Sequence, residues 1–310
     1  MKNFFYLFAL AIGLFAVACS SDEGYNADSA QSNYVPVSAD KMVASVYTTS
    51  VIDGREYSWK HLFSYDKQGR IKEVNSVIKH HDIYSQTVTG QNFFRECNIT
   101  SNAKYFYDGA NLKVVYTVKN EYPTYPVWNN SYSFTDAGIL HEDGFIKRYV
   151  STSRKGSLSF ECNYKLGGKL DVVDIDGGYT LTMDRDASGN VTGFYFEGIN
   201  DSGNDSIVDA RAMYDYTYVQ NKTNFDFSAY LGYWGVERNI GAMSEPFYAN
   251  YQLAAFGFFG AVSPSLPLWN VKEMGGNDDG SNPWEFDSSR RYPVRYTDPS
   301  GRVTEITYIE

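Results

Sequence analysis

The chain has 310 residues, 17% of them aromatic, and a formal net charge of −10. This negative charge argues against binding to nucleic acid and against charge-driven binding to anionic lipid, because both attract basic surfaces. Tyrosine (27) and phenylalanine (20) are frequent, whereas cysteine (3) is rare. Aromatic side chains favour the pleated, half-buried surfaces of strands, so the composition favours an all-β fold.

The N-terminal segment has the pattern of an export signal. Lys2 precedes an apolar run at 4–18, and Cys19 follows that run directly. A helix of this length measures roughly 22 Å and is shorter than the roughly 30 Å hydrocarbon core of a bilayer, which predicts a cleaved signal. Residues 16–19 resemble the bacterial lipobox, with Ala16 in place of the usual leucine. The resemblance implies removal of residues 1–18 and a membrane anchor through lipidated Cys19; an ordinary secretory signal is the alternative.

Residues 19–42 are predicted to form a flexible tether, because they hold few large apolar side chains and cannot bury enough surface to offset their ordering entropy. The acidic start at 20–23 resembles the tether of Bacteroidota lipoproteins displayed on the outer membrane. That resemblance implies a surface-exposed lipoprotein of the outer membrane, and a solvated linker on a periplasm-facing protein is the alternative. Asp28-Ser29-Ala30 matches a short glycosylation motif of that phylum, so Ser29 is a candidate O-glycosylation site.

Residues 43–310 are predicted to form a single β domain, since no Pro- or Gly-rich linker divides them. Within this domain a short pattern recurs, in which an aromatic residue or an Asp precedes turn residues, a Gly and an aliphatic residue. Each copy predicts a hairpin, with the polar side chain accepting backbone N–H bonds and Gly adopting the left-handed conformation. The copies lie at 65–71, 107–112, 134–140, 164–170, 184–191 and 296–303.

The strands flanking these turns show a period of two. Trp59, His61 and Phe63 alternate with Lys60 and Leu62, as expected for an antiparallel sheet. Repeated hairpins predict a single large antiparallel meander of about 12–16 strands, which should be curled or partly closed because long open sheets are unusual.

The hairpin copies at 65–74 and 296–306 are similar to the YD repeats of RHS-type proteins. Together with the lipobox they resemble a Bacteroidota lipoprotein family of unknown function with a porin-like fold, over about 44–310. The resemblance implies a porin-like shape and a location in the cell envelope, and it implies no activity. Charged residues on both strand faces and a chain end at Glu310 argue against a transmembrane barrel, so the predicted sheet does not span the membrane.

An insert at 225–262 interrupts the repeat and is predicted to be helical. Ser244-Glu245-Pro246 suits a helix start, and 251–262 is almost entirely apolar. We expect this insert to plug or cap one opening of the curled sheet. The alternative is a ligand cleft lined by the aromatic residues Tyr230, Tyr233, Trp234 and Trp269.

Two cysteines remain once Cys19 is set aside. In an oxidising envelope, Cys97 and Cys162 could form a disulfide that closes a long loop; two separate buried thiols are the alternative.

Segments with metal-ligand character are incomplete. Adjacent residues at 80–82 (His-His-Asp) point to opposite faces of a strand. The segment 184–189 imitates half of a calcium loop, but Tyr195 stands where a bidentate Glu belongs. The sequence therefore predicts neither a metal nor a cofactor.

Catalytic signatures are absent from the sequence, which contains no Gly-x-Ser-x-Gly elbow, phosphate-binding glycine loop or Cys-x-x-Cys pair. We expect a non-catalytic lipoprotein that binds a glycan or an envelope protein through exposed aromatic side chains. The alternatives are an envelope scaffold and a glycan-active enzyme that uses a pair of carboxylates.

Overall fold

The computed structural model describes residues 40–85, 92–153, 156–165, 169–175, 179–198, 212–231, 253–269 and 282–310, within a compact unit that covers 31–310. Cys19 and Ser29 lie outside the described residues. None of the helices in the described ranges is long and apolar enough to cross a bilayer.

Sixteen strands lie in the described ranges, with one 3-10 turn at Pro126–Trp128. In chain order the strands are β1 (Val43–Ile52), β2 (Arg55–Tyr65), β3 (Ile71–Ser85), β4 (Asn92–Asp108), β5 (Asn111–Glu121), β6 (Asn130–Leu140), β7 (Ile146–Ser153), β8 (Gly156–Lys165), β9 (Lys169–Ile175), β10 (Tyr179–Arg185), β11 (Val191–Gly198), β12 (Ala212–Gln220), β13 (Ser265–Trp269), β14 (Trp284–Phe286), β15 (Pro293–Thr297) and β16 (Val303–Tyr308).

These strands form one sheet in which each strand pairs with its neighbour in the chain, except that among the described residues β13 and β14 do not pair and that β1 pairs with β16. The order is β13 through β12 down to β1, followed by β16, β15 and β14. Pairing of β1 with β16, for example Val46 opposite Ile306, joins the two ends of the chain. The predicted single antiparallel meander of about 12–16 strands is confirmed.

The predicted turn chemistry is clearest between β2 and β3. Asp66 Oδ1 accepts the backbone N–H of Gln68 and Arg70, each at 2.9 Å, and Oδ2 accepts Arg70 Nε at 2.6 Å. Gly69 has a φ of 78°, the left-handed region that a Cβ disfavours. Asp298 and Arg302 repeat this arrangement between β15 and β16.

The calcium-like segment forms a turn of the same kind. Asp186 Oδ1 accepts the backbone N–H of Asn190 at 2.9 Å, and Asp186 Oδ2 accepts Asn190 Nδ2 at 2.9 Å. These bonds lower the pKa of Asp186. Its carboxylate therefore serves the hairpin between β10 and β11.

One predicted hairpin is wrong. Residues 134–140 lie inside β6, and the chain reverses later, where His141 N–H donates to Phe145 O at 2.7 Å and Gly144 has a φ of 86°. The reason is the environment of Asp136, whose side chain is fully buried. Its carboxylate accepts hydrogen bonds from β7 and so cannot cap a turn.

Alternating antiparallel strands give the sheet two rims. The C-terminal ends of β2, β4, β6, β8, β10 and β12 lie at one rim, which we call the turn rim. The C-terminal ends of β1, β3, β5, β7, β9 and β11 lie at the other, which we call the open rim. The predicted insert follows β12 in the chain and therefore starts from the turn rim.

The insert is helical at 227–231 and 253–255, which confirms the helical prediction for these residues, and it packs into the concave face. The ring of Phe256 lies 4.9 Å from that of Phe63 on β2, and Phe258 lies 6.4 Å from Tyr105 on β4. From the opposite side, Phe227 lies 5.3 Å from Trp284 on β14. Strands from distant parts of the sheet thus surround the insert, as the predicted curling requires.

A side chain also links the two edge strands of the sheet. Trp284 Nε1 on β14 donates to Pro267 O on β13 at 2.7 Å. No backbone ladder joins β13 to β14 within the described ranges. The sheet is therefore curled, and its edges are held together by this bond and by the insert.

Candidate functional site

The concave face is fully buried near the turn rim and partly exposed toward the open rim. Along β6, Asp136 and Leu140 are buried whereas Tyr132 and Phe134 are only half-buried. Along β2, the same change separates buried His61 and Phe63 from half-buried Trp59. The insert therefore fills the interior near the turn rim, and solvent reaches the concave face beyond it.

Stacked aromatic rings run from the buried part of the concave face onto its accessible part. The rings of Tyr116 and Phe134 are 4.6 Å apart with an interplanar angle of 14°, and those of Phe134 and Tyr132 are 6.2 Å apart at 22°. We call Tyr116, Phe134 and Tyr132 the aromatic track. On β2, Tyr57 and Trp59 stack in the same way at 6.0 Å.

The loop between β5 and β6 places a second aromatic group at the open rim. Tyr125, Val127 and Trp128 are 43%, 85% and 41% exposed, although all three are large and apolar in part. Tyr125 and Trp128 stack at 4.7 Å, and Tyr122 meets Trp128 edge-on at 6.2 Å. We call Tyr122, Tyr125, Val127 and Trp128 the rim platform.

The loop that carries the rim platform is held by its own hydrogen bonds. Tyr125 N–H donates to Tyr122 O at 3.1 Å, Trp128 N–H donates to Tyr125 O at 3.0 Å, and Tyr122 N–H donates to Asn129 Oδ1 at 2.7 Å. Prolines 123 and 126 fix φ within the loop. A loop fixed in this way presents its aromatic side chains at a low entropic cost of binding.

A cation connects the rim platform to β4. The guanidinium carbon of Arg95 lies 4.0 Å from the ring centre of Trp128 and 6.0 Å from that of Tyr122. A cation at this distance from an indole is attracted by the partially negative face of the ring quadrupole. The contact therefore helps to fix the orientation of Trp128.

A buried polar cluster forms the floor below the aromatic track. Asp136 accepts hydrogen bonds from Tyr149 Oη at 2.7 Å, Ser151 Oγ at 3.3 Å and the backbone N–H of Thr152 at 2.8 Å. Burial raises the pKa of Asp136 to about 6, although these hydrogen bonds partly oppose the shift. Burial also raises the pKa of Tyr116 and Tyr149 well above the ordinary value.

The chemistry of this region suits recognition. The outer faces and edges of the stacked rings on the track and platform offer an apolar contact surface, and the half-buried amides of Asn120 and Asn130 lie on the concave face. Within the described ranges, no group of three His, Cys, Asp or Glu side chains is close enough to hold a metal ion.

Tyr230, predicted to face a ligand, lies in the core instead. Its side chain is fully buried, its hydroxyl group is 2.9 Å from Thr48 Oγ1, and its ring meets that of His61 edge-on at 6.0 Å. Insertion of this segment between the walls of the curled sheet is the physical reason. Tyr233 and Trp234 lie outside the described residues, and Trp269 ends β13 with its side chain outside the described part.

His61 is a buried histidine of the same core. Its Nδ1 lies 2.8 Å from Ser76 Oγ, and complete burial lowers its pKa to about 3. The imidazole is therefore neutral at ordinary pH and belongs to the packing between sheet and insert.

Cys97 and Cys162 are separate buried thiols that do not bridge, which is the second of the two arrangements that the sequence left open. Cys97 lies on β4 and Cys162 on β8, four positions apart in the sheet. Four steps of about 4.8 Å exceed by far the roughly 7 Å limit between the Cα atoms of a disulfide. Burial raises the pKa of the Cys162 thiol to about 12.

The aromatic track and rim platform were not predicted from the sequence. One signal was available, namely the segment Tyr-Pro-Thr-Tyr-Pro-Val-Trp at 122–128. Two prolines exclude a central strand there, and three aromatic residues are unusual in a solvated loop. Because the sequence pattern predicts a hairpin at 134–140, it does not identify Phe134 as a strand residue that continues the row of Tyr132.

Comparison with known proteins points to a shape. The chain is similar to the crystal structure of a porin-like protein from Bacteroides uniformis, with a TM-score of 0.50 and 10% identity, over 86% of this chain and 98% of that chain. No family model matches the sequence, and no curated protein matches it. At this identity the likeness concerns the fold alone, and it confirms the predicted porin-like β shape.

Proposed function

We propose that this protein is a lipid-anchored, non-catalytic binding protein of the bacterial cell envelope, and that it binds a glycan on its concave face. One observation carries the proposal: the stacked rings of Tyr116, Phe134 and Tyr132 continue beyond the insert onto a face that solvent reaches. Aromatic side chains left partly exposed in a concavity are typical of binding sites.

The polar groups beside the track favour a glycan over a lipid or an apolar metabolite. Asn120 and Asn130 lie on the same face as Tyr132, and Asn120 Nδ2 donates to Asn130 Oδ1 at 3.2 Å. Amides between aromatic rings can hydrogen-bond sugar hydroxyls while the rings stack on the apolar faces of the sugar. A wall for acyl chains needs aliphatic residues at these positions.

Two buried titratable groups with shifted pKa values support binding without catalysis. Asp136 and His61 are both fully buried, and each is within hydrogen-bond distance of a neighbouring side chain. A general acid or base must reach the proton that it transfers, and neither group reaches the solvent-accessible face. Both groups serve the packing in this proposal.

Two observations support a location in the cell envelope. The lipobox-like residues before Cys19 favour export and lipidation, and a porin-like protein from a Bacteroides species shares the fold. In this proposal the segment after Cys19 links the lipid anchor to the β domain. Radiolabelled palmitate incorporation, lost in Cys19→Ser, tests this part of the proposal.

Glycan binding is tested with residues 20–310, which include the whole compact unit. We expect binding to part of a glycan array, confirmed by calorimetry, and a loss of at least tenfold in affinity in Tyr132→Ala. Thr135→Ala is the matched control, because Thr135 is exposed on the opposite face of the same strand. Silence across the array, or equal losses in both variants, would contradict the proposal.

A scaffold role is the second candidate, and one observation favours it. On the outer face, Leu62 and Val77 are 44% and 55% exposed on the neighbouring strands β2 and β3. Exposed apolar side chains that are close together mark sites of protein contact. Light scattering of residues 20–310 tests it, since a stable oligomer is expected and a monomer at all concentrations counts against it.

A further inference from the structure

The aromatic groups on the concave face form a line that runs from the open rim to a closed floor. Trp128 stands at the rim, Tyr132 and Phe134 follow along β6, and Asp136 marks the floor. From Asn130 to Asp136 the strand alone covers roughly 20 Å at ~3.3 Å per residue. This distance exceeds the length of a single sugar ring.

The line has one accessible end. At its rim end, Val127 and Trp128 are exposed; at its floor, Tyr116 and Tyr149 are 5% and 0% exposed. Behind the floor, Phe258 of the insert stacks on Tyr105 at 6.4 Å. A chain lying on the track can therefore extend past the rim but cannot continue through the floor.

The rings along the line are also nearly parallel in successive pairs. Interplanar angles are 23° between Tyr125 and Trp128, 22° between Tyr132 and Phe134, and 14° between Phe134 and Tyr116. Rings stacked on one another leave their edges and outer faces to a ligand, and a row of rings with a common orientation offers a repeating ligand a continuous apolar surface. Rings in random orientations favour a compact ligand instead.

The charge at the floor affects which terminal sugar can bind there. Asp136 is the buried carboxyl of the floor, and its pKa of about 6 leaves it mostly ionised at pH 7. An anionic sugar at the floor meets like charge in a region of low dielectric, which disfavours it. Arg95 does not offset this charge, since its guanidinium lies at the rim against Trp128.

We propose that the ligand is a neutral linear oligosaccharide bound end-on, with its terminal units on the aromatic track and the following units on the rim platform. This inference rests on the proposed glycan-binding function. It assigns Tyr132 and Phe134 to the terminal units and Trp128 to units further along the chain. Affinity then rises with chain length until the ligand is as long as the line of rings.

The experiment uses residues 20–310 and two probe series, β-1,4-linked and α-1,4-linked glucose oligomers from one to six units, measured by calorimetry. We expect one series to bind with affinity that increases with length and then becomes constant. Trp128→Ala should weaken the longest oligomer by about tenfold, which corresponds to about 1.4 kcal/mol, and leave the shortest bound oligomer unchanged. Tyr132→Ala should weaken all of them.

Val127→Ala is the matched control, because Val127 is 85% exposed on the same loop and has no ring to stack. Circular dichroism of each variant confirms that the fold is retained. Equal affinity for short and long oligomers, or equal weakening of both by Trp128→Ala, overturns the end-on arrangement but leaves glycan binding standing. Tighter binding of an oligomer with a terminal uronic acid also overturns it. Binding of neither series, together with a silent glycan array, overturns the proposed function and this inference with it.

Discussion

Tyr149 on β7 donates its hydroxyl to the Asp136 carboxylate on β6 at 2.7 Å, and both side chains are completely buried. This pair lies where the filled part of the interior ends and the aromatic track begins. A buried carboxylate is costly unless it is hydrogen-bonded, and Asp136 is surrounded by donors. The floor of the candidate site is therefore a polar element of the core, and its ionisation should be measurable in the stability of the protein.

Asp136→Asn should stabilise the protein at pH 7 to 8. The folded pKa of about 6 lies above the ordinary value of 3.8, so the contribution of this carboxyl favours the folded state below pH 3.8 and is lost as the pH rises through 6. The neutral amide avoids this loss, and we expect a gain of about 1–3 kcal/mol at pH 8. Urea unfolding of both proteins measures it; a variant less stable than the native protein at pH 8 contradicts the argument.

Tyr149→Phe and Tyr116→Phe should change the free energy of unfolding by amounts that differ in sign or size, although both remove one buried hydroxyl. The first removes the 2.7 Å donor of the buried Asp136 carboxylate, leaves it only Ser151 and the backbone N–H of Thr152, and should cost about 1–3 kcal/mol of unfolding free energy. The second removes Tyr116 Oη, which makes no hydrogen bond of normal geometry, and should be neutral or stabilising. Equal destabilisation in chemical denaturation would show that the two hydroxyls are equivalent.

The buried His61 should make the protein sensitive to acid. Its pKa falls from 6.5 to about 3 on folding, so its contribution is fully present above pH 6.5 and is lost as the pH falls toward 3, on the order of 5 kcal/mol in total. As the pH falls from 6 to 3.8, the Asp136 carboxyl instead adds stability to the folded state. The acid loss of stability should therefore be steeper in Asp136→Asn than in the native protein, and a parallel pH profile for the two would refute this account.

Much of the fold could be predicted from the sequence, because its signals are local. The period of two and the Asp-x-x-Gly turns, as at 66–69, act within a few residues, so they indicated hairpins and a meander. The turn predicted at 134–140 failed because the same residue types, here Asp136 and Gly138, also suit a buried strand when a partner strand supplies donors. That partner, Tyr149, lies on another strand and is invisible to a local pattern.

The candidate site could not be predicted for a related reason. Tyr230 and Phe134 are both aromatic residues in apolar surroundings, yet one is fully buried and the other reaches solvent. Their exposure differs because Tyr230 lies within the insert, which does not extend over Phe134. The reach of the insert depends on contacts such as Phe256 with Phe63, which join distant parts of the chain. Composition suggested aromatic recognition as a hypothesis, and only the packing shows which rings reach solvent.

Cys97 and Cys162 should be unreactive in the folded protein. Both thiols are buried, and the raised pKa of Cys162 keeps it protonated, whereas the thiolate is the reactive form. We expect no alkylation by iodoacetamide at pH 8 in native residues 20–310, two modifications per chain in urea, and unfolding that is independent of reductant. Mass spectrometry that finds an oxidised pair in the folded protein would restore the disulfide.

Trp284→Phe should loosen the junction of the two sheet edges without emptying the core. The phenyl ring keeps contact with Phe227 and Tyr296, which lie 5.3 Å and 4.7 Å from the indole. The hydrogen bond from Nε1 to the buried carbonyl of Pro267 is lost, at a cost of about 1–3 kcal/mol. Hydrogen exchange should accelerate most in β13 and β14, which have no backbone ladder to each other within the described ranges. Trp128→Phe is the control: at the exposed rim platform it should leave exchange in both edge strands unchanged, and uniform acceleration in both variants would contradict a localised junction.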